Sequence, residues 1–200
     1  MEATRKMTLQ EIQNALGYKV KIVDEKEKKR LADIEVGKTF KVGELEFIVL
    51  EHSKETTAVI LKDFWQQAKF DENHNNYATS DIRKNLNANF YNQLSEIIGK
   101  NNIVIHTVDL TSDDGRKDYG SCKDYISLLT CDLYRRYVSI LDEYNPKKWW
   151  WLATPYSTKS DYNSLVRCAG NDGPLGNGYC SGSNGVRPFC ILKSNIFVSE

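Results

Sequence analysis

Side chains suited to binding are concentrated after Pro146, where Gly, Asn, Ser and aromatic residues dominate the sequence. Tyr provides a large contact area and Asn provides adaptable hydrogen bonding, and both do so at low cost in conformational entropy. Polar loops that are held on a rigid sheet are common recognition sites. The pattern therefore predicts a ligand-binding surface between Thr154 and Asn184. Its candidate contacts are Thr154, Tyr156, Tyr162, Asn163, Asn171, Asp172, Asn177, Tyr179 and Asn184.

Four of these candidates, Asn171, Asp172, Asn177 and Asn184, carry oxygens that Ca²⁺ would accept as ligands. Only Asp161 and Asp172 supply carboxylates in this region, however, and a calcium site of useful affinity needs more negative charge. The aspartates between 109 and 118 also fall at the wrong offsets from Gly115 for a calcium-binding loop. We interpret the Asn and Asp residues beside glycine as turn formers, and we expect no metal.

Residues that support catalysis elsewhere show no informative spacing in this chain. The histidines His52, His74 and His106 fall in different predicted elements, and no phosphate-binding or nucleophile-elbow motif occurs. The sequence therefore indicates no cofactor. The five cysteines form no Cys-x-x-Cys pair, and their odd number leaves at least one thiol free, so reduced buried thiols are favoured over a disulfide framework.

Two conspicuous features, the run Trp149-Trp150-Trp151 and Arg187, have both a structural and a functional interpretation. Successive side chains of a strand point to opposite faces, so Trp149 and Trp151 should share a face while Trp150 takes the other. A strand covered on both sides, with the indoles in the core, is favoured over an aromatic platform for a sugar ring or peptide. Arg187 is interpreted either as a ligand-binding cation or as a donor that fixes a loop.

Composition excludes several classes of protein. The chain has 27 basic and 27 acidic residues, whereas a nucleic-acid-binding protein usually carries a surplus of Lys and Arg. No apolar run is long enough to span a bilayer, and the first residues do not resemble a signal peptide. We therefore expect no nucleic-acid partner, no membrane partner, and a location in the bacterial cytoplasm or in a virion.

Local patterns divide the chain near Ile34, after a run of seven charged residues from Asp24 to Arg30. Residues 1–33 read as an appendage, in which a capping box starts a helix over 8–16 and a strand follows over 18–23. Residues 34–200 read as one domain. Its predicted elements are strands near 36–40, 45–50, 57–61, 103–108 and 125–129, a helix from Ser80 to Gly99, helical spacing over 130–144, and short strands after 149.

Several of these segments together resemble a family of uncharacterised bacterial and phage domains related to the C-type-lectin-like fold. Members of that family typically contain Trp-Trp-Leu-Arg-Ser-Pro followed by a Gly- and Asn-rich stretch and then Gly-Val-Arg-Pro. The corresponding segments here are 150–155, which reads Trp-Trp-Leu-Ala-Thr-Pro, and 185–188, which reads Gly-Val-Arg-Pro. Segments 36–50, 81–91 and 124–130 are similar to its opening strands, its helix and a later strand, so the resemblance runs from about Ile34 to Val198.

The resemblance implies an α+β, C-type-lectin-like fold in which strands from 36–61 and 149–192 form one mixed or antiparallel sheet with two packed helices. It does not select a function, because one fold carries many activities. The leading hypothesis is a non-catalytic recognition module, phage- or prophage-encoded, whose C-terminal loops bind a protein or glycan. One alternative is an assembly protein or intracellular inhibitor of a host protein that forms a homo-oligomer through the N-terminal helix. Another is a cysteine-dependent enzyme, by analogy with the formylglycine-generating relatives, that uses Cys168, Cys180 or Cys190.

Overall fold

A computed structural model describes residue 11 and residues 28–199 of the chain. The described part is a mixed α+β structure in which antiparallel strands far outnumber helices. Apart from Glu11, the predicted N-terminal helix and the strand that follows it lie outside the described residues, and so does the predicted oligomer contact through that helix. No helix in the described part is long and apolar enough to cross a membrane.

The strands are short, and most of the helices span only one or two turns. The strands are β1 (Lys29–Arg30), β2 (Thr39–Val42), β3 (Leu45–His52), β4 (Thr56–Leu61), β5 (Gln66–Lys69), β6 (Ile103–Val104), β7 (His106–Asp109), β8 (Ser121–Asp124), β9 (Ile126–Ser127), β10 (Trp150–Pro155), β11 (Leu165–Ala169), β12 (Leu175–Tyr179), β13 (Ser183–Val186), β14 (Phe189–Lys193) and β15 (Phe197–Val198). The helices are α1 (Asp81–Asn85), α2 (Tyr91–Ile98), α3 (Cys131–Arg136) and α4 (Val138–Glu143). Single 3₁₀ turns occur at Leu31–Asp33, Tyr77–Thr79, Lys100–Asn102 and Ser160–Tyr162.

The main helix is α1 and α2 joined by a π turn over Leu86–Phe90. The Ser80 side chain accepts a hydrogen bond from the Arg83 amide and so caps its start. Gly99 ends it with φ +82°, a left-handed conformation that favours glycine. The predicted helix is thus confirmed at both ends. Its buried side chains include Ile82, Leu86, Phe90 and Leu94.

Most of the strands belong to two main sheets, whereas the resemblance implied a single sheet. One sheet has the order β2-β3-β4-β14-β6, and β9 pairs with β14 beside β6. The second has the order β12-β11-β10-β13-β5, in which only the β10–β13 pair is parallel. Two-stranded ribbons are formed by β7 with β8 and by β1 with β15.

An irregularity at Arg187-Pro188 explains why the strands divide between two sheets. The Leu61 amide donates to the Pro188 carbonyl at 2.8 Å, and the Trp65 amide donates to the Val186 carbonyl at 2.9 Å. Between these two hydrogen bonds, residues 62–64 lie opposite Arg187 alone. Because Pro188 has no amide proton and the two segments differ in length, the ladder is interrupted and the chain bends from one sheet into the other.

The tryptophan run lies at the centre of the second sheet. Trp150 and Trp151 are buried in two different apolar clusters, as expected for neighbours on opposite faces of a strand. Trp151 donates its indole N–H to the Ala68 carbonyl at 2.8 Å. Trp149 is 42% exposed and its ring covers Gly176, where an added Cβ would lie 2.5 Å from the indole. Two of the three indoles are therefore core.

Candidate ligand-binding surface

The β11–β12 hairpin presents one face of predicted contact residues. Asn177 lies directly opposite Arg167, and Tyr179 lies directly opposite Leu165. Residues two apart on a strand share a face, so Asn177 and Tyr179 project on the side of the sheet that carries Arg167. Tyr179 is 68% exposed, and β12 is an edge strand of its sheet. The hairpin therefore displays a tyrosine and an amide to solvent on a regular scaffold.

Two more predicted contacts, Tyr156 and Tyr162, join this face from the loop that follows β10. Their rings meet edge to face with centroids 5.7 Å apart, and the Arg167 guanidinium carbon lies 6.0 Å from the Tyr156 ring centroid. The Tyr156 amide donates to the Leu165 carbonyl at 3.0 Å, which fixes the loop beside the hairpin. Tyr162 is 45% exposed. We call Tyr156, Tyr162, Asn177 and Tyr179 the tyrosine surface.

Asp113 provides the electrostatic link between this surface and α3. Its carboxylate accepts a hydrogen bond from Arg135 Nη2 at 3.0 Å. The Arg167 Nε atom lies 3.6 Å from the same carboxylate, close enough for an ion pair but too far for a hydrogen bond. That Nε atom is buried and has no hydrogen-bond partner. Two guanidinium groups thus share one carboxylate beside the Tyr156 ring.

The loop between β7 and β8 is tied to the loop after β10 by several hydrogen bonds. The Asp113 amide donates to the Pro155 carbonyl at 3.0 Å, and the Ser157 hydroxyl donates to Asp114 at 2.7 Å. Hydrogen bonds from Ser112 and Ser157 hold the pKa of Asp114 below its usual range, so this carboxylate is ionised at neutral pH. Gly115, at φ +83°, closes the predicted turn. The two loops are therefore held together as a unit.

The Asn75 side chain holds the loop between β10 and β11, which carries Tyr156 and Tyr162 and which we call the tyrosine loop. This side chain is fully buried, and Nδ2 donates to the Ser157 and Leu165 carbonyls at 2.8 Å each and to the Tyr162 carbonyl at 3.2 Å. Tyr119 donates its hydroxyl to Asn75 Oδ1 at 2.9 Å. One side-chain amide thus bonds two carbonyls of this loop and the first carbonyl of β11, and so ties the loop to the hairpin beside it.

Of the remaining predicted residues, Asn171, Asp172 and Asn184 lie apart from the tyrosine surface, and Asn163 follows Tyr162 in the same loop. Asn171 and Asp172 occupy the turn at the far end of the β11–β12 hairpin, where both are exposed. Asn184 Nδ2 lies 3.5 Å from Cys168 Sγ, on the opposite face of the sheet. Asn163 is exposed, and its backbone carbonyl accepts a hydrogen bond from the backbone amide of Asn75 at 2.7 Å. The structure thus brings together four of the nine predicted residues in one patch.

Thr154 has a structural contact. It is 4% exposed, and its hydroxyl oxygen accepts a hydrogen bond from the amide of Cys131 at 2.9 Å. Thr130 caps α3 by accepting from the Leu133 amide, so Thr154 satisfies a second amide in the first turn of that helix. We therefore leave Thr154 out of the tyrosine surface.

Replacing Thr154 by Val should lower the free energy of unfolding by about 1–2 kcal/mol, because the isosteric side chain leaves the Cys131 amide buried and unpaired. Chemical denaturation measures this difference. Thr158→Val is the matched control, since the partly exposed Thr158 hydroxyl contacts Asp118 at the surface and its loss should cost no more than about 0.5 kcal/mol. Equal stability of the two variants would contradict the assignment.

The thiols show no activation. All five cysteines are free. Burial raises the pKa of Cys122 to about 11 and that of Cys168 to about 12. Burial also raises the pKa of Cys131, Cys180 and Cys190 above the ordinary thiol value. Thiolate is the reactive species, so these protonated thiols give no support to a cysteine-dependent reaction.

Metal-ligating side chains do not converge in the described part of the chain, since no group of three or more His, Cys, Asp or Glu residues there is placed to hold an ion. Several Asp side chains there make local hydrogen bonds instead. Asp71, for example, accepts hydrogen bonds from the Asn73, His74 and Asp81 amides and shapes the loop that presents Asn75.

Comparison with known families bears on the segment that carries the tyrosine surface. Residues 135–194 match the family model DUF6273, a domain of unknown function. The DUF6273 match covers less than a third of the chain and extends from the end of α3 through β14. It confirms that this part of the chain is similar to an uncharacterised domain family. No curated protein and no solved structure matches the chain.

Sequence reasoning missed the residues that position the surface. Asn75 lies in an Asn-rich stretch whose composition indicates only a loop, and Asp113 lies in a sequence typical of a turn. Arg167 occurs on an alternating strand, where an exposed arginine is ordinary. The one available signal was that Arg167 follows the strand pattern of Leu165 and should therefore share its face.

Proposed function

We propose that this chain has a C-type-lectin-like architecture and acts as a non-catalytic recognition module that binds a protein or glycan through the tyrosine surface. The observation that carries the proposal is the exposure of Tyr162 and Tyr179 on a hydrogen-bonded loop and the neighbouring hairpin. Exposed aromatic side chains that are held in place bind with little loss of conformational entropy.

The surroundings of the tyrosines support the same proposal. Asn75 and the Asp114–Ser157 hydrogen bond hold the loop, so the ligand would not need to order it. Arg167 lies under Tyr156 and is 13% exposed, which leaves the tyrosine edges and the Asn177 amide as the accessible groups. This mixture of apolar ring area and hydrogen-bonding groups suits a sugar ring or a polar protein segment.

Alanine at Tyr162 and Tyr179 should weaken binding at least about tenfold while the melting temperature falls by no more than about 2 °C, because exposed rings contribute contact area but little core packing. The probes are a printed glycan array and a phage-displayed library of random 12-residue peptides, screened with the full chain. Differential scanning fluorimetry reports the melting temperature.

Phe197→Ala is the matched control for this experiment, since Phe197 is a 61% exposed aromatic residue on β15, away from the tyrosine surface. It should leave binding unchanged. The proposal fails if no probe binds the wild-type chain, or if the tyrosine variants bind the selected probes as well as the Phe197 variant does.

A further inference from the structure

A groove runs from the tyrosine surface along α3. Its central cavity, of about 230 Å³, shares His106 and Thr107 with a neighbouring cavity of about 290 Å³. On its other side it shares Asp109 and Asp132 with a further cavity of about 230 Å³. That cavity shares Asp113 with a last one, of about 390 Å³, which lies against the tyrosine loop. Because each cavity shares at least one lining residue with the next, the four are adjacent, and we call them together the groove.

One wall of this groove is the unpaired edge of β7. In an antiparallel ribbon, alternate residues direct both backbone groups toward the partner strand. The Leu110 amide donates to the Gly120 carbonyl at 3.0 Å, so residues 106, 108 and 110 face β8. The amides and carbonyls of Thr107 and Asp109 therefore point away from β8. Within the described residues, no other strand pairs with β7 on that side.

The unpaired edge faces the central cavity. All four residues of β7 line that cavity, whereas no residue of β8 does. Ser127, Leu128 and Thr130 complete the lining on the segment that leads into α3, and Leu133 contributes an apolar side chain from the helix. A strand edge opposite a helix, with space between them, has the geometry that accommodates one added strand.

The charges along the centre of the groove are acidic. The Asp109 and Asp132 carboxylates both line the junction of the two central cavities, and hydrogen bonds from Thr111 hold the pKa of Asp109 low. Burial lowers the pKa of His106, which leaves its imidazole neutral at pH 7. Arg135 also lines this part of the groove, but its guanidinium is already paired with Asp113 and Asp132. Three carboxylates, those of Asp109, Asp113 and Asp132, line this part of the groove against the one cation of Arg135, so an incoming cation would meet an excess of negative charge.

We propose that the groove binds an extended peptide, which pairs with the free edge of β7 as an added strand and places a Lys or Arg side chain between Asp109 and Asp132. The inference rests on the proposed recognition function and gives its ligand a chemical class. The peptide lies between β7 and Leu133, and its continuation reaches the cavity lined by Tyr156 and Tyr162. Backbone pairing supplies affinity, and the carboxylates supply selectivity for a basic residue.

The phage-displayed library of random 12-residue peptides tests this proposal with the full chain. Selected sequences should carry a Lys or Arg next to β-forming residues. Synthetic copies of the best sequence, each N-methylated at one backbone amide, are then titrated by fluorescence anisotropy. Methylation should weaken binding about tenfold or more at alternate positions and have little effect at the positions between them, because only every second amide of an added strand points toward β7. This readout requires no change in the protein.

Substitution of the two carboxylates provides a second test. Asp109→Asn and Asp132→Asn together should weaken binding of the selected peptide about tenfold and reduce its dependence on salt. The Asp109→Asn change retains the side-chain oxygen that accepts from Thr111, so folding should be preserved. Glu96→Gln makes the same kind of charge change on α2, outside the groove, and should leave binding unchanged.

The outcomes separate this inference from the proposed function. Selected peptides that depend on Tyr162 and Tyr179 but tolerate methylation at every position would overturn the groove while leaving recognition intact. Binding to glycans alone would do the same. Absence of any bound probe would overturn both proposals. If light scattering shows a stable dimer and the dimer blocks the groove, the occupant is a second copy of the chain and not a peptide.

Discussion

Replacing Asn75 by Asp is expected to lower the free energy of unfolding by about 4 kcal/mol or more and to abolish ligand binding. The substitution turns a buried donor into an acceptor that faces the carbonyls of Ser157, Tyr162 and Leu165. The Ser157 and Tyr162 carbonyls lose their side-chain donor, and the Leu165 carbonyl keeps only its bond from the Tyr156 amide. A carboxylate is also buried in place of a neutral amide. Each of these effects is unfavourable, and native proteins have only about 5–15 kcal/mol of stability in total.

Asn76→Asp is a closely matched control for this prediction. Asn76 is the next residue, and its side-chain oxygen accepts a hydrogen bond from the Ala78 amide at 3.1 Å. Aspartate keeps that acceptor, so the control should change the free energy of unfolding by no more than about 0.5 kcal/mol. Urea denaturation of both variants measures the contrast. If the Asn75 and Asn76 variants are equally stable, the buried amide does not hold the tyrosine loop.

Local patterns were sufficient to predict the elements whose ends are defined by short-range chemistry. The cap at Ser80, the apolar spacing from Ile82 to Leu94 and the stop at Gly99 locate the main helix, and the helical spacing after Thr130 locates α3 and α4. The tryptophan run also follows from strand geometry, because alternation alone places Trp150 and Trp151 on opposite faces. The π turn within the main helix was not predictable, since it leaves the apolar spacing almost unchanged.

Features that depend on contacts distant in sequence were not predictable from one chain. Asn75 meets its acceptors across 82 to 90 positions, so nothing near it in the sequence marks its role. Likewise, the free edge of β7 forms one wall of a groove only because α3, which is distant in sequence, forms the other wall. Sequence patterns identified exposed side chains of the tyrosine surface, such as Tyr162 and Tyr179, whereas they did not identify the polar groups that hold the neighbouring loop.

Arg187 connects the two sheets, and its replacement by Ala should lower the free energy of unfolding by about 3–5 kcal/mol. The side chain is fully buried, and Nε donates to the Leu61 carbonyl at 2.8 Å while Nη2 donates to the Tyr144 carbonyl at 3.3 Å. The guanidinium carbon lies 5.2 Å from the Trp150 ring centroid. Burial lowers the pKa of Arg187 to about 10, so the side chain remains a cation at neutral pH. This geometry supports the loop-fixing interpretation of Arg187.

Two further variants make this prediction specific. Arg187→Lys keeps the charge but loses the planar set of donors, so it should recover only part of the loss and remain about 2 kcal/mol less stable than the wild type. Arg136→Ala removes a comparable cation–ring contact at the surface, where Arg136 lies 5.6 Å from the Tyr137 ring centroid and pairs with Glu51, and it should cost about 1 kcal/mol or less. A Lys variant as stable as the wild type would show that charge alone is required. An Ala variant that loses ligand binding at full stability would instead support the ligand-binding interpretation.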